Sequence, residues 1–327
     1  MIIKVLFSTS KRIHPKFSKI KIGKYTVEPI PGSCVLIENI PTTDKYLLSF
    51  EDIVDNEKGA NPLKEARLFL SYLGLLLGTK IRVISEMIDS LQSPFSTRQD
   101  YYPQLYGIID EMPDFDTLIA KLKSLDVDIA KQYLRACDVY QTAVSIIEEN
   151  ATLSFFLLTV SIECLSTKVI AGNIKKNIDG KQEEKPKGTC DKFVEFIITY
   201  LPTQDDFSTR EEWENILKEI YYNHRSGFTH GGKSTPDAVL LADRLNRIYI
   251  NNIIDGKRIK TPGLRWFETI VRRCLIGFLS SHKEIDHSQH LDHFKELSYE
   301  FGKVALITKK NIQKGLIVIS DENFDLD

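Results

Sequence analysis

Within "YYNHRSGFTHGGK", residues 221 to 233, Arg225 and His230 are the side chains best equipped for chemistry. An imidazole titrates near neutrality and can give or take a proton, while a guanidinium offers a fixed fork of donors to anionic oxygens. Ser226 adds a hydroxyl able to orient either group, and His224 a second imidazole. On an ideal helix, the five positions from Arg225 to His230 turn through about 500°, so the two side chains would not share a face. Gly227, Gly231 and Gly232 weaken the helix and permit a turn. A helix-to-loop junction that brings both groups toward one pocket is therefore expected.

Ordinary structural uses stand beside the chemical ones. Glu163 lies in the apolar run "LTVSIECL", where an unpaired carboxylate is costly, so Arg225 is expected to pair with it whether or not Arg225 also binds phosphate. His230 can equally serve as a helix C-cap. His287, His290 and His293 recur every third residue beside Asp286 and Asp292. Helical spacing spreads them over about 200°, unlike a zinc site, and a solvated polar segment is the simpler reading, so no metal is assigned. "GGK" at residues 231 to 233 lacks the strand, the first glycine and the Gly-Lys-Ser/Thr ending of a phosphate loop. Trp266 and the Tyr249 region fit either base stacking or core packing, the latter being commoner.

The elements that must position these groups fall into two halves. In residues 1 to 125, "IIKVLF", "KYTVEPI", "CVLIENI" and "YLLSF" read as strands. "NPLKEARLFLSYLGLLLG" reads as a helix, with Asn61 as cap, Pro62 in the first turn and Gly78 at its end. Extended "TKIRVISEMI" and "YPQLYGIID" follow. This half is read as a mixed α+β domain with no assignable chemistry.

From about residue 126 the period becomes helical. Ile129, Tyr133, Ala136, Tyr140, Val144 and Ile147 mark one helix, and Phe155, Leu158, Ile162, Leu165 and Val169 a second, predicting an antiparallel hairpin joined near "EENAT". "NIKKNIDGKQEEKPKGT" reads as a long flexible loop. In "STREEWENILKEIYYNHR", Ser208 and Glu211 match a capping box, and the helix is expected to run into the chemical motif. Leu241, Leu245 and Ile248 mark a fourth helix, and "PGLRWFETIVRRCLIGFLSS" a fifth. "VALIT" and "GLIVIS" predict a β-hairpin in the tail, residues 284 to 327.

The chain has 327 residues and a formal charge of -2, which argues against a protein that coats nucleic acid through bulk positive charge. Its charge is uneven: from Asn223 to Lys283 there are eleven Lys or Arg against four Asp or Glu, a net of +7 suited to facing phosphates. The apolar run at the amino terminus is short for a signal peptide, and "FLSYLGLLLG" is about half a membrane span, so a soluble intracellular protein is expected. Five dispersed cysteines without a C-x-x-C pair fit reduced thiols.

"YYNHRSGFTHGG" resembles the signature of the HEPN domains, in particular the Apea-like branch associated with abortive infection: an Arg, four to six residues and a His. "FFLLTVSIECLS", preceded by "RACDVYQTAVSII", resembles the family's Glu-bearing helix and its partner. The likeness covers about residues 130 to 283, with Ser226 where many ribonuclease members have Asn, His or Asp. Together with the strand and helix patterns it gives an α+β multidomain chain: a mixed domain (1–125), an all-α HEPN-like bundle (126–283) and a tail with a β-hairpin (284–327). It further implies metal-independent, cofactor-free cleavage of single-stranded or loop RNA by a cytoplasmic homodimer, in a toxin or antiviral response. His230 then moves protons, Arg225 meets the phosphorane charge and Ser226 orients them, with Glu163 and His224 supporting. Lys233, Arg244 and Arg247 are the expected RNA contacts. A non-catalytic RNA- or protein-binding module is the alternative.

Overall fold

The protein is described by a computed structural model covering residues 2–13, 17, 19–30, 35–37, 40–51, 62–88, 108–109, 113–178, 181–201, 209–226, 249–254 and 257–281. Strands β1 (Ile2–Ile13), β2 (Ile20–Ile22), β3 (Tyr25–Pro29), β4 (Val35–Ile37), β5 (Ile40–Glu51), β6 (Ile81–Ile88) and β7 (Ile108–Ile109) form one sheet. Its main order is β2-β3-β5-β1-β6, all antiparallel, with β4 on β5 and β7 added parallel to β1. Alternation sets the faces. Ile3, Val5 and Phe7 pair with Phe50, Leu48 and Tyr46, and all six are buried.

Helix α1 (Pro62–Leu77) joins this sheet to a helical layer. Phe69 stacks on Tyr25 at 3.9 Å, and the buried carboxylate of Glu65 accepts a 2.7 Å hydrogen bond from the Tyr25 hydroxyl and meets Lys24 at 2.5 Å. The helix ends where the sequence predicts. Gly78 has φ +59°, a conformation natural to glycine, and the Gly78 and Thr79 amides return to the carbonyls of Leu75 and Gly74.

The helical layer comprises α2 (Phe115–Ser124), α3 (Val127–Ser145), α4 (Ala151–Val169), α5 (Thr189–Tyr200), α6 (Arg210–Ile220) and α7 (Leu264–Ser281). Asp114, Asp126 and Asn150 cap α2, α3 and α4 by accepting from backbone amides. Among the described residues, α4 alone is long and apolar enough to cross a membrane, yet it packs against α3, α5 and α7 and carries the buried Glu163, as the central helix of a bundle does. The core is one continuous cluster that includes Ile3 of β1, Leu125 at the α2–α3 junction and Leu279 of α7, so apolar packing continues across residue 125.

Several sequence expectations need correction. Residues 126–283 are not all-helical: β8 (Asn173–Ile178) pairs with β9 (Lys181–Pro186), and β10 (Tyr249–Ile254) with β11 (Lys257–Pro262). The stretch expected to be a flexible loop is thus largely a hairpin. In both hairpins the two residues between the strands are Asp-Gly, which favours a tight turn regardless of the lysine-rich surroundings. The cap of α6 is Thr209, whose hydroxyl accepts from the Glu212 amide at 3.1 Å, one residue beyond Ser208. Helices α2 and α5 went unpredicted. The expected helix through residues 241 to 248, the expected hairpin in 284–327 and Cys34 lie outside the described residues; Cys137, Cys164, Cys190 and Cys274 are free thiols.

One close approach fixes the sheet against the bundle. Gln141 of α3 donates from Nε2 to the Thr79 carbonyl at 3.0 Å and accepts the Ile81 amide at 3.2 Å. It reaches them because Gly74 has no side chain; a Cβ there would lie 2.2 Å from Gln141 Nε2. Gly74→Ala, normally worth about 1 kcal/mol to a helix, should instead destabilise the protein by about 2 kcal/mol by displacing that amide and leaving buried backbone groups unpaired. A lower urea midpoint at unchanged slope is the expected readout.

Candidate active site

At its carboxyl end α6 widens into a π-helical turn, Tyr221–Ser226, a deviation often found at functional sites. The turn carries "YYNHRS" against α4 and divides its side chains between core and surface. Tyr221 and His224 are buried, Asn223, Arg225 and Ser226 half-buried, and Tyr222 is 58% exposed.

Glu163 organises this surface. Its Oε1 accepts from the Tyr221 hydroxyl at 2.7 Å and from Arg225 Nε at 3.0 Å, and its Oε2 accepts from Arg225 Nη2 at 3.4 Å. The guanidinium carbon also lies 5.7 Å from the Tyr221 ring centroid, within cation–π range. Burial, then the hydrogen bond to Glu163, raises the Tyr221 hydroxyl above the usual phenol range and keeps it a donor. The ion pair expected from sequence is therefore present and two-pronged. Arg225 nonetheless retains 24% of its side-chain surface exposed.

His224 takes a different course. Its ring stacks on Phe155 at 4.1 Å, and Phe155 stacks in turn on Phe267 at 4.7 Å. Burial pulls the imidazole down to about pH 4, so it is neutral near pH 7 and serves as a packing ring. Trp266, considered for base stacking, packs edge-on against Trp213 at 5.7 Å. Tyr249 lies in β10. Ser226 closes the π turn beside Arg225. His230, Lys233, Arg244, Arg247 and the histidines of residues 282 to 293 lie outside the described residues. Among the described residues, no group of three His, Cys, Asp or Glu side chains converges as a metal site.

The geometry thus brings together Glu163 and Arg225, leaves Ser226 next to Arg225 at the end of the turn, and separates His224 from them as a core residue. It adds Tyr221 as the positioning hydroxyl and Tyr222 as an exposed ring. The doubled tyrosine was visible in the sequence, but only the turn decides which ring faces inward. No protein-family model, curated protein or solved structure matches the chain.

Two outcomes follow. Glu163→Ala should cost about 2–3 kcal/mol by leaving Arg225 and Tyr221 without their carboxylate, more than the roughly 1 kcal/mol expected for Tyr221→Phe in the same denaturation assay. The unfolded chain protonates an ordinary imidazole near pH 6.5, whereas folded His224 resists until about pH 4. Its contribution, on the order of 3 kcal/mol, is present above pH 6.5 and lost progressively as pH falls toward 4. His224→Phe keeps the ring stack and should flatten the pH dependence of the urea midpoint across that window.

Proposed function

We propose that the chain is a metal-independent endoribonuclease of the HEPN type, acting as a cytoplasmic homodimer on single-stranded or loop RNA in a toxin or antiviral response. The observation that carries this reading is the two-pronged Arg225–Glu163 pair on a π turn, in which a Glu from an apolar helix holds a partly exposed arginine at the end of another helix. The two elements it joins are the ones on which the sequence resemblance rests. Exposed Tyr222 supplies an aromatic face on which an unpaired base can stack.

In the proposed reaction, His230 accepts the proton of a ribose 2'-hydroxyl, whose oxygen attacks the adjacent phosphorus. The bond from phosphorus to the 5'-oxygen breaks, and the partner's His230 protonates that oxygen. The products are a 2',3'-cyclic phosphate and a 5'-hydroxyl. Arg225 offsets charge on the phosphorane oxygens, held in place beforehand by Glu163, while Ser226 orients the reacting groups. Lys233, Arg244 and Arg247 contact flanking phosphates. Two-fold symmetry supplies the second imidazole, a role closed to buried, neutral His224.

A binding module is the second reading, favoured by Ser226 at a position where many ribonuclease members have Asn, His or Asp, by the near-neutral overall charge and by the burial of His224, which leaves proton transfer to His230. Incubation of labelled single-stranded RNA with chelator separates the two. Cleavage to cyclic-phosphate ends, abolished by His230→Ala and reduced at least about 100-fold by Arg225→Ala, is expected of the nuclease. Salt-sensitive binding without cleavage by the wild type would favour the module. Solution mass should be twice 37.5 kDa.

A further inference from the structure

A cavity of about 300 Å³ opens where β1, the end of α1, the start of β6, the end of α3 and α7 meet. Among the described residues, Lys11 of β1 and Glu268 of α7 both line it, with half-buried Val144 and Ile147 as an apolar stretch of wall. Lys80, Arg82, Glu148 and Arg265 are the other charged residues of that described lining. Lys80 donates to the Ser145 carbonyl at 2.5 Å, and Arg265 stands 3.6 Å from Glu148. The Lys11 ammonium, by contrast, has no hydrogen bond or ion pair with the described residues.

Two groups of α7 act on Lys11 in opposite directions. Arg272 is fixed beside the cavity, donating from Nε and Nη2 to the Leu75 and Leu76 carbonyls at 2.8 and 2.6 Å, and its guanidinium repels the ammonium. Glu268 attracts it. Burial and the charge of Arg272 outweigh that attraction and lower the proton affinity of Lys11 from its usual lysine value. Glu268 accepts from the Tyr140 hydroxyl, and burial outweighs this bond and the charges of Arg272, Lys11 and Arg265, raising its carboxyl above the usual carboxylate value. Both shifts favour the neutral form. Desolvation thus draws the pair toward amine and acid and away from an ion pair.

A desolvated lysine next to another cation is a setting in which the amine acts as a nucleophile, and a carboxylic acid in the same cavity supplies the proton that imine formation needs to expel water. We infer that Lys11 forms an imine with a short-chain aldehyde held in this cavity, its hydrocarbon part against Val144 and Ile147 and Glu268 as the acid. The Lys11 nitrogen lone pair adds to the carbonyl carbon, the C=O π pair passes to oxygen, and a proton moves from nitrogen to that oxygen to give a carbinolamine. The Glu268 carboxyl then protonates the carbinolamine hydroxyl, the C–O bond breaks and water leaves. An iminium cation remains beside the Glu268 carboxylate, so charge and protons balance. Neither Arg225 nor Glu163 is among the described lining residues, and the inference does not rest on the ribonuclease reading.

The test incubates the full chain near pH 7 with butanal and sodium cyanoborohydride, which reduces an imine to a stable secondary amine, and locates the adducts by peptide mass spectrometry. Exposed Lys21 of β2 is the internal reference. The adduct at Lys11 is expected to form at least about tenfold faster than the one at Lys21, at a rate that saturates as butanal is raised. In urea sufficient to unfold the chain, the two lysines should react at equal rates. The inference is overturned if Lys11 reacts no faster than Lys21 in the folded chain, if its advantage persists in urea, or if its rate rises with butanal without saturating.

Discussion

A carboxylate taken out of water must be met by donors and positive charge, and this fold places three such groups at its seams. Glu65 joins the sheet to α1 through Tyr25 and Lys24. Glu163 joins α4 to the π turn through Tyr221 and Arg225, and Glu268 joins α7 to α3 through Tyr140, with Arg272 and Lys11 nearby in charge. In each case a tyrosine hydroxyl supplies a directed hydrogen bond and a cation supplies the compensating field. Apolar packing alone would hold these elements together with less definition of rotation and register. The carboxylates select one arrangement.

That selection orders Arg225, the phosphate-binding group of the proposed reaction. An exposed arginine on a frayed helix end would sample many rotamers and lose entropy on meeting a phosphate. Here Glu163 fixes the Nε edge and Tyr221 lies under the guanidinium, so the ordering cost is met during folding. The π turn completes the arrangement by letting one short segment bury His224, pair Arg225 and expose Tyr222.

The same physics governs the junction of the two layers. Gly74 and Gln141 allow α3 to approach α1 closely enough to satisfy backbone groups at the start of β6, and Arg272 closes the carboxyl end of α1. With backbone polar groups satisfied by these long side chains, the layers need not be filled solidly between them. A polar cavity remains where the sheet edge, α1 and α7 diverge.

Much of this architecture was legible in the chain because local order has short-range causes. The alternation of Ile3, Val5 and Phe7 specifies a strand with one buried face, Gly78 specifies a helix stop, and an acidic residue in "LTVSIECL" demands a cation. The two Asp-Gly hairpins carry equally local turn signals, although the polar, lysine-bearing surroundings of the first are also those of a flexible loop. The amphipathic α2 and α5 have 10 and 12 residues, so each shows its period over only about three turns. Residues 221 to 226 were recognisable as a chemical motif, whereas the fate of each side chain was not: a period of 3.6 does not foretell a π turn, and that turn decides that His224 stacks on Phe155. Nor does any local pattern connect Lys11, Lys80 and Glu268, which share a cavity only after β1, β6 and α7 have packed. Sequence alone determined the main strands and long helices and which groups need partners, because those properties are set within a few residues. Tertiary structure decided which partner each group received, because desolvation and Coulomb energy depend on distance in space rather than along the chain.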